Sequence, residues 1–89
     1  MFDFQIAETK TFQKNKKKID ESVLRKIEKI VYPQLRSNPF YGTNIKKLKG
    51  EFEKLYRYRV GDYRLFYSIE NEKVLVMILD LRHRQNSYS

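Results

Sequence analysis

Cysteine is missing from this 89-residue sequence, and histidine occurs once, at His83. Those two shortages exclude disulfides, thiolate zinc sites and any metal held by several imidazoles. The acids are scattered and mostly sit beside lysines, as at Glu28-Lys29, so a carboxylate metal centre is not expected either. No metal and no other cofactor is expected. Long hydrophobic runs are also lacking: the longest, Val74 to Leu79, is far too short to span a bilayer. The opening residues, MFDFQIAETK, show no basic leader followed by an apolar block. The expectation is a cytoplasmic protein with no membrane partner. Repeats, low-complexity tracts and linkers are absent as well, so residues 1–89 read as a single domain with one modest core.

Positive charge is what the chain has in excess. Nineteen basic residues against 11 acidic ones give a net charge of +8 and a pI near 9.8. Such a balance points to nucleic acid, an anionic membrane surface or an acidic protein. Composition does not choose among them.

The sequence from Leu55 to Tyr67, LYRYRVGDYRLFY, reads as two alternating strands joined at Gly61-Asp62. With those two residues as the loop, Val60 pairs with Tyr63, Arg59 with Arg64, Tyr58 with Leu65, Arg57 with Phe66 and Tyr56 with Tyr67. Successive side chains point to opposite faces. One face therefore carries Tyr56, Tyr58, Val60, Tyr63, Leu65 and Tyr67, which is core chemistry. The other carries Arg57, Arg59, Arg64 and Phe66. Two arginines directly opposed destabilise a sheet by roughly 0.2–1 kcal/mol, and these strands hold no acid to relieve them. A face of that kind suits a polyanion. The bland alternative is that long arginines splay apart into water.

In chain order, Phe2, Phe4 and Ile6 alternate with polar residues and predict a first strand. Thr9 or Thr11 can cap a short helix in which Lys14, Lys16, Lys17 and Lys18 crowd the surface, usually the mark of a solvated face. Asp20 can cap a second helix whose stripe is Val23, Leu24, Ile27, Ile30, Val31 and Leu35. Pro33 predicts a kink or an early end to it. Residues 40–50 read as a loop in which Lys46, Lys47 and Lys49 would widen the positive surface. After a turn at Asn71-Glu72, VLVMILDL is apolar on both faces, as expected of a central strand. It runs into Arg82, His83, Arg84 and Tyr88. The fold class expected is α+β, in the order β-α-α-β-β-β: an antiparallel sheet with two helices packed on one face and a basic open face.

This residue set suits metal-free cleavage of RNA. Such a reaction needs a base for the 2′-hydroxyl, charge to stabilise the phosphorane, and an acid for the leaving 5′-oxygen. Guanidiniums can meet the second need, binding phosphate oxygens bidentately. They do not serve as the base, because their pKa lies above roughly 12. His83, Tyr88 or a carboxylate must then move the proton, or else the ribosome or the substrate supplies what is missing. Tyr88 could instead stack on a base. Phe66 could also support a nucleotide, although a phenylalanine there more often just fills the gap under the arginines. A lone histidine at a strand end is more often structural.

The segment from Leu48 to Tyr88 resembles the C-terminal half of the RelE-type toxins of the RelE/ParE superfamily, found in type II toxin–antitoxin systems. The resemblance is carried by L-x-G at Leu48, Y-R-x-R-x-G-D-Y-R at Tyr56 and H-R-x-x-x-Y at His83. It implies a RelE-like, microbial-ribonuclease-like fold. It also implies a ribosome-dependent mRNA endoribonuclease (mRNA interferase) that cuts the codon in the A site, inhibits translation, and leaves a 2′,3′-cyclic phosphate and a 5′-hydroxyl. The catalytic residues it implies are Arg59, Arg64, Arg84 and Tyr88, with His83 beside them. RNA-binding roles fall to Arg57, Lys46, Lys47, Lys49, Phe66 and Arg82. The implied partners are a RelB-like antitoxin and the ribosome with mRNA in its A site. Two other readings stay open: a ParE-like inhibitor of DNA gyrase without nuclease activity, and a non-catalytic RNA- or ribosome-binding module.

Overall fold

The structure is a computed structural model that describes residues 3–48 and 55–83. The first strand, β1, spans Gln5–Glu8 and follows the buried Phe4. Phe2, expected to face inward with Phe4 and Ile6, lies outside the described residues. Thr9 then turns the chain into α1, Lys10–Lys16. Its hydroxyl accepts from the Phe12 N–H at 3.1 Å and donates to the Leu79 carbonyl at 2.9 Å. One side chain thus starts the helix and ties it to the sheet, while Phe12 fills the core beneath.

The second helix begins as Glu21–Lys26. Asp20 caps it through its backbone carbonyl, which accepts from Val23 and Leu24; its carboxylate makes no capping bond. Pro33 neither ends nor breaks this helix. The chain widens into a π-turn over Ile27–Val31, where the Tyr32 N–H reaches back to the Ile27 carbonyl, and resumes as Tyr32–Ser37. Residues 21–37 are therefore one continuous helix, α2. Proline lacks an N–H and crowds the carbonyl four residues back; a turn with one extra residue absorbs that misfit. The same extra residue keeps Ile27 and Val31 on the buried stripe and rotates Ile30 into solvent, 53% exposed, although the sequence pattern placed it inside.

The remaining strands are β2 (Ile45–Lys47), β3 (Leu55–Val60), β4 (Tyr63–Glu70) and β5 (Leu75–His83). They form a five-stranded sheet in the order β1-β5-β4-β3-β2. The α+β class and the placement of both helices on one face hold. Two details differ from the sequence expectation. Residues 45–47, read as loop, form an edge strand on β3. The sheet is also mixed, because β1 runs parallel to β5 while the other pairs are antiparallel. Lying between β1 and β4, β5 has strand partners on both sides; Val76, Ile78 and Leu81 are buried in the core, and Leu75, Met77 and Leu79 are half-buried.

The core lies between the helices and one sheet face. Phe12, Ile27, Val31, Tyr32 and Leu35 pack there on Tyr58, Val60, Leu65, Tyr67, Val76, Ile78 and Leu81. Its tyrosines are satisfied inside it. Tyr67 donates to the Pro39 carbonyl at 2.8 Å, Tyr58 to Gln34 at 2.6 Å and Tyr32 to Glu8 at 2.7 Å, with Lys16 also on Glu8 at 3.0 Å. Burial first, and then neighbouring groups (Tyr56 and Tyr58 for Tyr67, Glu8 for Tyr32), push both phenols well above the ordinary tyrosine range. Among the described residues, no helix is long and apolar enough to cross a membrane.

Candidate nucleic-acid interface

Gly61, at φ 58°, supplies the left-handed residue that a two-residue hairpin loop requires. The resulting register pairs Val60 with Tyr63, Arg59 with Arg64, Tyr58 with Leu65, Arg57 with Phe66 and Tyr56 with Tyr67, as the sequence predicts. Between β4 and β5 the register shifts: Tyr67 pairs with Ile78 but Phe66 with Asp80, leaving Leu79 as an extra bulged residue. Beyond the bulge, Leu65 meets Leu81, Arg64 meets Arg82 and Tyr63 meets His83.

Arg59, Arg64 and Arg82 consequently stand side by side on three adjacent strands, on the face turned away from the helices. Neighbouring Cβ atoms in such a row are about 4.5–5.5 Å apart, within the reach of one phosphodiester for side chains of this length. The next row holds Lys46, Arg57 and Phe66, again in register. Arg57, Arg64 and Phe66 are half-buried, whereas Lys46, Arg59 and Arg82 are exposed.

The acid that the hairpin strands lack comes to Arg82 from its own strand. Asp80, at the bulge, accepts from the Arg82 Nε at 3.1 Å, from the Asn15 amide at 2.5 Å and from the Leu81 N–H at 2.8 Å. The carboxylate is largely covered, with 15% of its side chain exposed against 55% for Arg82. Held by Nε, the Arg82 guanidinium keeps its outer Nη pair for a ligand, the geometry that favours Arg at phosphate sites. Neither Asp80 nor Asn15 was singled out from sequence. The signal available was an acid two residues before an arginine inside an apolar strand, since i and i+2 share a face.

Two of the expected site residues do not join this face. Lys47 is the register partner of Tyr56 and so points to the helix side of the edge strand. His83 lies opposite Tyr63, its ring edge-on to the tyrosine at 5.2 Å between centroids, also on the helix side. The extra residue of the bulge swaps faces for everything after it, which brings Arg82 to the arginine row and takes His83 away. Lys49, Arg84 and Tyr88 lie outside the described residues. Among the described residues, no group of His, Asp or Glu could hold a metal ion.

Residues 6–88 match the family model described as ParE toxin of type II toxin-antitoxin system, parDE. The chain belongs to that family. It is a type II toxin of the RelE/ParE superfamily. Among solved structures, the toxin is similar to a chain of the toxin–antitoxin complex RelBE2 from Mycobacterium tuberculosis, with 27% identity and a TM-score of 0.81 over 92% of this chain and 99% of that one. It is similar too to a chain of the archaeal RelE–RelB complex from Pyrococcus horikoshii, at 25% identity and a TM-score of 0.78 over 94% and 98% of the two chains. The isolated RelE toxin of E. coli shares the fold, with 22% identity and a TM-score of 0.77 over 96% and 88%. No curated protein matches the sequence.

Proposed function

We propose that this toxin is a ribosome-dependent mRNA endoribonuclease that cuts the A-site codon without a metal and so inhibits translation. The observation that supports this reading most is the in-register row of Arg59, Arg64 and Arg82. In the proposed reaction the 2′-oxygen attacks the adjacent phosphorus, the bond from phosphorus to the 5′-oxygen breaks, and the 2′-proton is removed while the 5′-oxygen gains one. The products are a 2′,3′-cyclic phosphate and a 5′-hydroxyl. Arg59 and Arg64 stabilise the charge that builds on the phosphorane, with Arg84 as a further cation. Preorganised cations of this kind usually contribute more to such catalysis than any other single effect. Lys46, Arg57 and Phe66 hold the flanking strand. With His83 on the other face, Tyr88 becomes our candidate for moving the proton.

The proposed partner in the resting cell is a RelB-like antitoxin, on the analogy of the RelB–RelE complexes above. A surface of net charge +8 suits an acidic segment in that role.

A second reading rests on the matched family model, which is that of ParE: inhibition of DNA gyrase with no RNA cleavage. Primer extension on mRNA from a translation extract dosed with the purified toxin separates the two. Codon-dependent stops with unaffected gyrase supercoiling are expected. Gyrase inhibition without stops decides for the alternative.

A further inference from the structure

At the end of α1 the chain turns through residues 17–20 and leaves a groove between that turn and the end of β5. Its volume is about 360 Å³, near the lower end of the range for ligand pockets, roughly 300–1,000 Å³. It can take one nucleoside rather than a long ligand. Ile19 and Leu81, with the rings of Tyr63 and His83, give it apolar and aromatic walls.

Its polar wall is built by Asn15, Asp80 and Arg82. The Asn15 amide gives one N–H to Asp80, which fixes its orientation. Its second N–H and its Oδ1 take no partner among the described residues. Arg82 belongs both to this wall and to the arginine row. The exposed Lys18 adds a second cation to the groove's lining.

We infer that this groove is a nucleobase subsite that receives a purine, adenine in particular, from the nucleotide whose phosphate lies on Arg82. The inference rests on the RNA-cleaving reading above. A carboxamide offers an acceptor beside a donor, and adenine presents the matching donor and acceptor at N6 and N7. Aromatic side chains add stacking surface, which single-stranded RNA sites use regularly. A carboxylate already engaged by three donors keeps Arg82 and Asn15 in place while the ligand enters.

The test uses the full chain, with backbone amide shifts followed by NMR during titration with 3′-AMP, 3′-UMP or inorganic phosphate. Phosphate is expected to move Arg59, Arg64 and Arg82 only. 3′-AMP should also move Asn15, Ile19, Leu81 and His83, and bind at least five-fold tighter than 3′-UMP. Asn15→Ala should abolish that preference, while phosphate still moves Arg59 and Arg64. The inference is overturned if 3′-AMP moves only the residues that phosphate moves, if Asn15→Ala keeps the preference, or if none of the three compounds binds. Adenine preference in a toxin that makes no cuts in ribosome-bound mRNA keeps the subsite and removes the ribonuclease reading instead.

Discussion

Arg64 and Arg82 are direct partners across β4 and β5, with Arg59 meeting Arg64 on the other side. Asp80 offsets the charge of Arg82, but Arg59 directly opposed to Arg64 still weakens the sheet, because like charges so placed repel. The row makes physical sense as a place prepared for an anion, and stability and function should pull in opposite directions there.

Arg59→Thr tests that opposition. Arg59 is exposed, and threonine is at home in a strand. Removing one charge of the row is expected to stabilise the fold by roughly 0.2–1 kcal/mol in urea unfolding at low salt. RNA cleavage should fall at the same time. A variant less stable than the parent at low salt contradicts the repulsion argument.

Asp80→Asn releases Arg82 without removing it. The face becomes more positive, so affinity for a short RNA should stay the same or tighten, because nonspecific phosphate binding follows charge. The single-turnover cleavage rate should nevertheless drop by about ten-fold, since misplacement near 1 Å costs rate steeply. In an Arg82→Ala background the same change should have no further effect on rate. An equal rate loss in both backgrounds assigns Asp80 a general structural role instead.

Alkaline pH offers a test of the core. Tyr67 and Tyr32 have folded pKa values raised above the unfolded value, chiefly by burial. The stability they provide as neutral phenols is complete below about pH 10. Above that the unfolded chain loses protons that the folded chain retains, so stability falls with rising pH, by about 1.4 kcal/mol per unit for each phenol. Tyr67→Phe should cost about 1–3 kcal/mol at pH 8 by leaving the Pro39 carbonyl unpaired. It should also make the loss between pH 10 and 11.5 about half as steep. Parallel urea-stability curves for parent and variant over that range contradict the assignment.

Val74 sits in the left-handed region at φ 50°, just after the tight turn Asn71–Lys73. A β-branched residue there is strained by about 1–3 kcal/mol. Glycine at this position relieves the strain while losing a half-buried isopropyl group, so Val74→Gly should lie within about 1 kcal/mol of the parent. The same change at the fully buried Val76 should cost roughly 2–4 kcal/mol. Equal losses at both positions in denaturant titrations dismiss the strain.

Much of this was legible from residues alone. The Gly61-Asp62 loop and strict alternation defined the hairpin register, and with it which face holds Arg57, Arg59 and Arg64. The rest was hidden for physical reasons. Ile45–Lys47 is too short and too charged to announce itself as a strand, and only pairing with β3 makes it one. The parallel pairing of β1 depends on a chain reversal that no local pattern encodes. In β5 the run is apolar on both faces, so alternation cannot reveal the bulge at Leu79. That one residue decides that Arg82 joins the row, that His83 leaves it and that Asp80 meets Asn15. The π-turn before Pro33 was likewise invisible, because a proline in a helical stripe signals a break without saying how it will be absorbed.

The most direct test is the single-turnover rate of mRNA cleavage on stalled ribosomes, for the parent toxin and for Arg64→Ala, with matched circular dichroism spectra and melting curves. Arg64 is the middle member of the row, and its loss is expected to lower the rate by roughly 100- to 1,000-fold with the fold intact. A folded Arg64→Ala toxin that cuts within three-fold of the parent contradicts the account.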